Sequence, residues 1–142
     1  MAILIGIDPG HSTGLAVWDS HRREFRAVAT LPIHRAMKAV HDWADEYPHQ
    51  VRVVFEDARR RRWLPKDTSS AEYRGHLMGA GSVKRDAVIW EEYLADLGIP
   101  FEHPGPRPGL TKWDADVFAR TTGWKGRTSN HARDAALLVF ER

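Results

Sequence analysis

Four side chains able to hold a divalent cation stand at the ends of apolar runs or one helical turn apart. Asp8 ends the strand-like opening Ile5-Gly6-Ile7-Asp8, just before Pro9-Gly10, and Glu56 closes the run Val51-Arg52-Val53-Val54-Phe55-Glu56. His131 and Asp134 are three residues apart in Asn130-His131-Ala132-Arg133-Asp134-Ala135-Ala136, a spacing that puts both on one face of a helix. Three carboxylates present the hard oxygens that Mg²⁺ prefers, with Mn²⁺ as a substitute. His131 could contact a metal, position a water or carry a proton near neutral pH. Hydrolysis of a phosphodiester needs an activated water, neutralised phosphoryl charge and help for the leaving oxygen. Two cations about 3.5–4 Å apart supply all three. The set therefore points to metal-dependent cleavage of nucleic acid.

Each residue also has a plainer account. Asp8 before Pro-Gly suits a turn, and Glu56 and Asp134 suit solvated surface positions. Asp57 competes with Glu56 for the inward role, because neighbouring strand residues face opposite ways. His131 near a helix start could be exposed or packed. What favours a metal site is that all four occur together in a particular order of elements.

Those elements can be read from periodicity. Met1 to Asp8 is apolar and β-branched, and Thr13–Asp19 and Phe25–Leu31 follow across short polar turns, which predicts an antiparallel meander. Between Pro32 and Tyr47, apolar Ile33, Met37, Val40, Trp43 and Ala44 recur every three or four residues, so this segment is expected to be helical. A helix between strands implies a crossover, which makes the Glu56 strand parallel to the Asp8 strand. Both acidic groups then leave the sheet at one edge. A second helix is expected from Ser82, as N-cap, to Leu97, stopped by Gly98, with a short strand over Ile99–His103. Its Trp90 belongs to a stripe that suits either the core or a dimer face. Trp113–Thr121 reads as a short helix ended by Gly123, and Ser129 or Asn130 as the cap of a closing helix through Phe140. The expected fold is a single α/β domain over 1–142, a mixed five-stranded sheet flanked by helices.

Composition narrows the class. A 142-residue chain with 42% hydrophobic residues can build one core, and zero cysteines exclude disulfides and thiolate metal ligands. No stretch reads as a secretory leader or a membrane span, so a cytoplasmic protein is expected. Net charge is only +2, but its distribution is uneven. Residues 57–75, with Arg59, Arg60, Arg61 and Arg62, carry an excess of three positive charges, and residues 105–133 an excess of four. Both stretches flank the acidic set, which favours contact with phosphate backbones over two merely solvated loops. Arg59, Arg60, Arg61, Arg62, Lys84, Arg85, Lys112 and Arg133 are the expected DNA contacts. Trp63 could stack on an unpaired base or pack within its loop.

At these residues the chain resembles the RuvC-type Holliday-junction resolvases of the RNase H-like superfamily. Gly6-Ile7-Asp8-Pro9-Gly10 with Thr13-Gly14-Leu15-Ala16 looks like that family's first motif, and Val53-Val54-Phe55-Glu56 like its second acidic strand. Gly75 to Ala87 is similar to its Gly-rich helix entry, and His131-Ala132-Arg133-Asp134-Ala135 to its closing motif. The resemblance implies a Mg²⁺- or Mn²⁺-dependent endonuclease, usually a homodimer, that nicks opposing strands of a four-way junction. Asp8, Glu56, His131 and Asp134 would be its catalytic and metal-binding residues. The Arg59–Trp63 stretch departs from the family pattern, which leaves flaps, forks and RNA–DNA hybrids open as substrates. A catalytically silent branched-DNA binder is the other alternative. An actin-like ATPase is rejected because 142 residues leave no room for two such domains.

Overall fold

Two opening strands buried along nearly their whole length, a third that is partly exposed and a helical stripe in the next segment organise the molecule. A computed structural model describes residues 2–60, 71–106 and 112–142, with the backbone only for 71–80. The strands are β1 (Ile3–Asp8), β2 (Ser12–Asp19), β3 (Glu24–Pro32), β4 (Val51–Phe55) and β5 (Phe101–Glu102). The helices are α1 (Ile33–Glu46), α2 (Ala71–Leu97), α3 (Ala115–Thr122) and α4 (Asn130–Leu137), and a 3₁₀ turn covers Ala58–Arg60. The five strands form one mixed sheet in the order β3-β2-β1-β4-β5. β1 is antiparallel to β2 and parallel to β4, and β4 is parallel to β5. The chain is thus an α/β fold with a five-stranded mixed sheet and helices on both faces, as its periodicities imply.

The period of two divides the core into two layers. Ile3, Ile5, Ile7, Leu15, Val17, Val53 and Phe55 face α1 and α2, where they meet Ala36, Val40, Ala87, Trp90 and Leu94. Leu4, Ala16, Trp18 and Val54 face the other way, against Phe118 of α3 and Ala132, Ala135 and Ala136 of α4. Trp90 is fully buried in the first layer, which settles its place in the core. Each such side chain removed from water contributes roughly 1.5–3 kcal/mol.

The second layer is thin where α4 crosses. A methyl group at Gly6 would run into the Ala135 carbonyl, and one at Gly14 into the His131 carbonyl. The bare backbone at those two strand positions lets α4 lie directly on β1 and β2, close to the strand end that carries Asp8.

Several boundaries differ from expectation. α2 begins at Ala71, so Ser82 is inside it rather than its cap. The glycines at 75, 79 and 81 cost about 1 kcal/mol each relative to alanine and read as a break, yet the helix passes through them. β5 is confined to Phe101–Glu102, and α4 ends at Leu137 with a turn in place of its last predicted residues. Other ends agree. Asp114 caps α3 through its side chain, Gly123 closes that helix at φ 75°, and Gly98 leaves α2 at φ 68°. Ser129 caps α4, its hydroxyl accepting from the Ala132 N–H at 3.1 Å.

Candidate functional site

β1, β4 and α4 bring the acidic set together at the end of the sheet. Asp8 is the last residue of β1, and its side chain is 17% exposed. Glu56 follows the last residue of β4, and its N–H donates to the Ile7 carbonyl at 3.2 Å, continuing the parallel ladder beside Asp8. Counting on from Val54, whose side chain is on the α4 layer, Glu56 falls on the same face as α4. His131 stands in the first turn of α4, where the close approach at Gly14 sets its distance from the sheet. Its Nδ1 is 3.0 Å from Asp8 Oδ2. Asp134, one turn further on, accepts from Lys112 Nζ at 3.1 Å.

The electrostatics follow from this crowding. Burial pushes the Asp8 carboxyl above its ordinary value; the bond to His131 opposes the shift, and the nearby charge of Asp134 adds to it. Lys112 is raised by its hydrogen bond to Asp134 and further by the fields of Asp8 and Glu56. Asp8 thus feels His131, Asp134 and Lys112, and Lys112 feels Asp134, Asp8 and Glu56. Three carboxylate donors and one imidazole make a hard, oxygen-rich set, and a cation between the carboxylates would offset both the burial and the Asp134 charge that raise Asp8. The residues present fit Mg²⁺ or Mn²⁺.

Among the described residues, a tight trio of His and acidic ligand atoms, all within 4.8 Å of one another, occurs elsewhere, at Asp57, Glu91 and His103. A guanidinium already fills it. Arg59 donates to Asp57 through Nε at 2.9 Å and Nη2 at 2.8 Å, and Nη2 also bonds Glu91. His103 Nδ1 meets Asp57 Oδ2 at 2.9 Å. Asp57 is 1% exposed, and although burial alone would raise its carboxyl, the bonds from Arg59 and His103 hold it well below the usual carboxylate range. The competition between Glu56 and Asp57 is thereby resolved in geometry. Asp57 is consumed in a buried ion pair that fixes the turn after β4, while Glu56 stays on the side of Asp8.

The expected DNA contacts separate in the same way. Arg133 is a correction: it is 8% exposed, and its guanidinium donates to the Trp113 carbonyl at 2.9 Å, to the Thr128 carbonyl and hydroxyl at 2.7 and 2.9 Å, and to Asn130 Oδ1. It braces the loop before α4 and has no face to offer a phosphate. Arg59 is likewise committed to Asp57 and Glu91. Lys112 is exposed and reaches both Asp134 and solvent. Lys84 and Arg85 are exposed on α2, and Arg60 is exposed beside His103. Arg61, Arg62 and Trp63 lie outside the described residues.

His103 is the residue sequence reasoning passed over. It sits past a two-residue strand with no local pattern around it, and only the chain crossing to Asp57 gives it a role. No protein-family model matches this sequence, and no curated protein matches it. Among the described residues, no helix is long and apolar enough to cross a membrane.

Proposed function

We propose that this chain is a metal-dependent endonuclease of RNase H-like fold that cuts branched DNA, a four-way junction above all, in the manner of RuvC-type resolvases. The observation that carries the reading is the convergence of Asp8, His131 and Asp134 from the first strand and the last helix, with Glu56 beside Asp8 by strand register. The sheet order β3-β2-β1-β4-β5, with β1 at its centre, supports the fold assignment.

Bound Mg²⁺ or Mn²⁺ would supply an activated water and neutralise the phosphoryl charge. The chain's own residues do the rest. Asp8, Glu56 and Asp134 would hold the cations. His131, anchored at Nδ1 by Asp8, keeps Nε2 for positioning a water or for moving its proton. Lys112, the exposed counter-ion of Asp134, would offer its ammonium to the phosphate. A homodimer would give two such sites for paired incisions, and a cytoplasmic location belongs to the same proposal.

The test is a nicking assay on a labelled synthetic four-way junction, with linear duplex, flap, fork and RNA–DNA hybrid beside it, in Mg²⁺, Mn²⁺ or EDTA. Paired, metal-dependent incisions across the junction support the proposal. Preference for flaps or hybrids keeps the metal site and changes the substrate. Tight junction binding without cutting in any metal refutes the nuclease and leaves a binding protein.

A further inference from the structure

Beyond the carboxylates, the same face of the sheet carries a groove at its open edge. It encloses about 230 Å³ beside β5, with Val54 and Leu138 as its apolar floor and Arg60, His103, Glu102 and Arg142 around it. Arg60 Nη2 lies 3.4 Å from both nitrogens of the His103 ring, and among the described residues it has no carboxylate partner. Arg142 bonds Glu102 at 2.9 Å, with both side chains close to half exposed. An exposed pair of this kind is worth about 0–1 kcal/mol, so an arriving anion can recruit Arg142 at little cost. His103 is held on its Nδ1 side by buried Asp57, which fixes the ring at the groove wall. Two guanidiniums facing one exposed carboxylate, with the His103 ring as a wall, make a site for a tetrahedral oxyanion, which guanidinium forks bind through paired N–H donors.

Position says which phosphate this would be. Val54, on the groove floor in β4, precedes Glu56 just past the strand's end by two residues, a separation of about 7 Å at the usual strand rise. Successive phosphates of a helical strand advance about 3.4 Å along its axis, so the groove lies one to a few nucleotides from a phosphate held at Glu56. We infer that this groove, lined by Arg60, Arg142 and His103, is a subsite for a backbone phosphate of the strand being cut. It steers that strand off the carboxylates and over the β5 edge. The inference rests on the nuclease reading for its ligand and on the groove's own geometry for its chemistry.

The experiment has two arms, both on the full chain. In the first, Arg60→Ala, Arg142→Ala and the double variant are combined with Asp8→Asn, and junction and duplex binding is followed by fluorescence anisotropy from 50 to 300 mM salt. The double variant should bind both DNAs several-fold more weakly, and its salt slope should drop by about 1 for the lost phosphate contact. An unchanged slope overturns the subsite. In the second arm, inorganic phosphate is titrated while the His103 ring signals are read by NMR. Shifts in the wild type that vanish in the double variant support the groove, and no shift overturns it. Phosphate shifts alongside an unchanged DNA slope also overturn the proposal, since the anion site would lie off the strand's path. If the wild type binds no nucleic acid at all, the nuclease reading fails, and the phosphate arm alone decides whether the groove binds oxyanions.

Discussion

His131 Nδ1 lies 3.0 Å from Asp8 Oδ2, although 123 residues separate them in the chain. The bond joins the last helix to the first strand and orients the imidazole, so Asp8 both positions His131 and presents a carboxylate at the candidate site. Asp8→Asn keeps the shape, removes one anionic ligand and leaves His131 an amide partner. Metal-dependent cleavage should fall by about 10³-fold or more, while junction binding stays within a few-fold. Wild-type turnover in this variant would dismiss the metal role of Asp8.

The closeness of α4 to the sheet should be intolerant of a single methyl group. In Gly14→Ala the added carbon collides with backbone of His131, and in Gly6→Ala with backbone of Ala135, and neither neighbour can rotate aside. Each substitution should cost at least the ~1–3 kcal/mol typical of overpacking, read as a lowered urea midpoint. Gly14→Ala should in addition impair cleavage beyond its stability loss, because it pushes His131 away from Asp8. Full stability in both variants would contradict the close packing.

Much of this arrangement was legible in advance because burial imposes simple periods. The β-branched run 51–55 and the opening strand could be recognised, and the intervening helix forced them parallel, so Asp8 and Glu56 had to emerge side by side. Side-chain partners were not legible in this way. Nothing local marks Arg59 as the mate of Glu91, thirty-two residues on, or shows that Arg133 points inward while its neighbour Asp134 meets Lys112. Clustered arginines read as a phosphate surface until the fold supplies carboxylates for Arg59 and carbonyls for Arg133. Helix α2 was misjudged at its start for a related reason, since glycines lower helix propensity without forbidding a helix.

Asp57 gives a pH prediction with a definite sign. Its carboxyl is held well below the unfolded value of about 3.9 by Arg59 and His103. The stability it contributes is therefore complete above that unfolded value and is lost as pH falls from there through the folded value. Asp57→Asn should lose about 2–4 kcal/mol at pH 7, somewhat less than a fully buried broken pair because Arg59 is partly exposed and keeps Glu91. Its stability should also vary less with pH below about 4. Urea midpoints for both proteins between pH 7 and pH 2 check this, and parallel acid limbs would remove Asp57 as a source of acid sensitivity.

Arg133 separates a bracing role from a phosphate role. Four hydrogen bonds bind its guanidinium to Trp113, Thr128 and Asn130, the last two immediately before and within the start of α4. Removing the side chain strands two part-buried carbonyls and opens space beneath the loop, at a cost of up to about 1–3 kcal/mol for each unsatisfied group. Arg133→Ala should thus lower the thermal midpoint by several degrees and speed amide exchange across residues 124–130. Lysine cannot reproduce the fork and should rescue little. Under conditions where the variant remains folded, the salt slope of DNA binding should match that of the wild type, because no phosphate contact has been lost. A slope reduced by about 1 with stability unchanged would instead mean that the guanidinium turns outward to DNA.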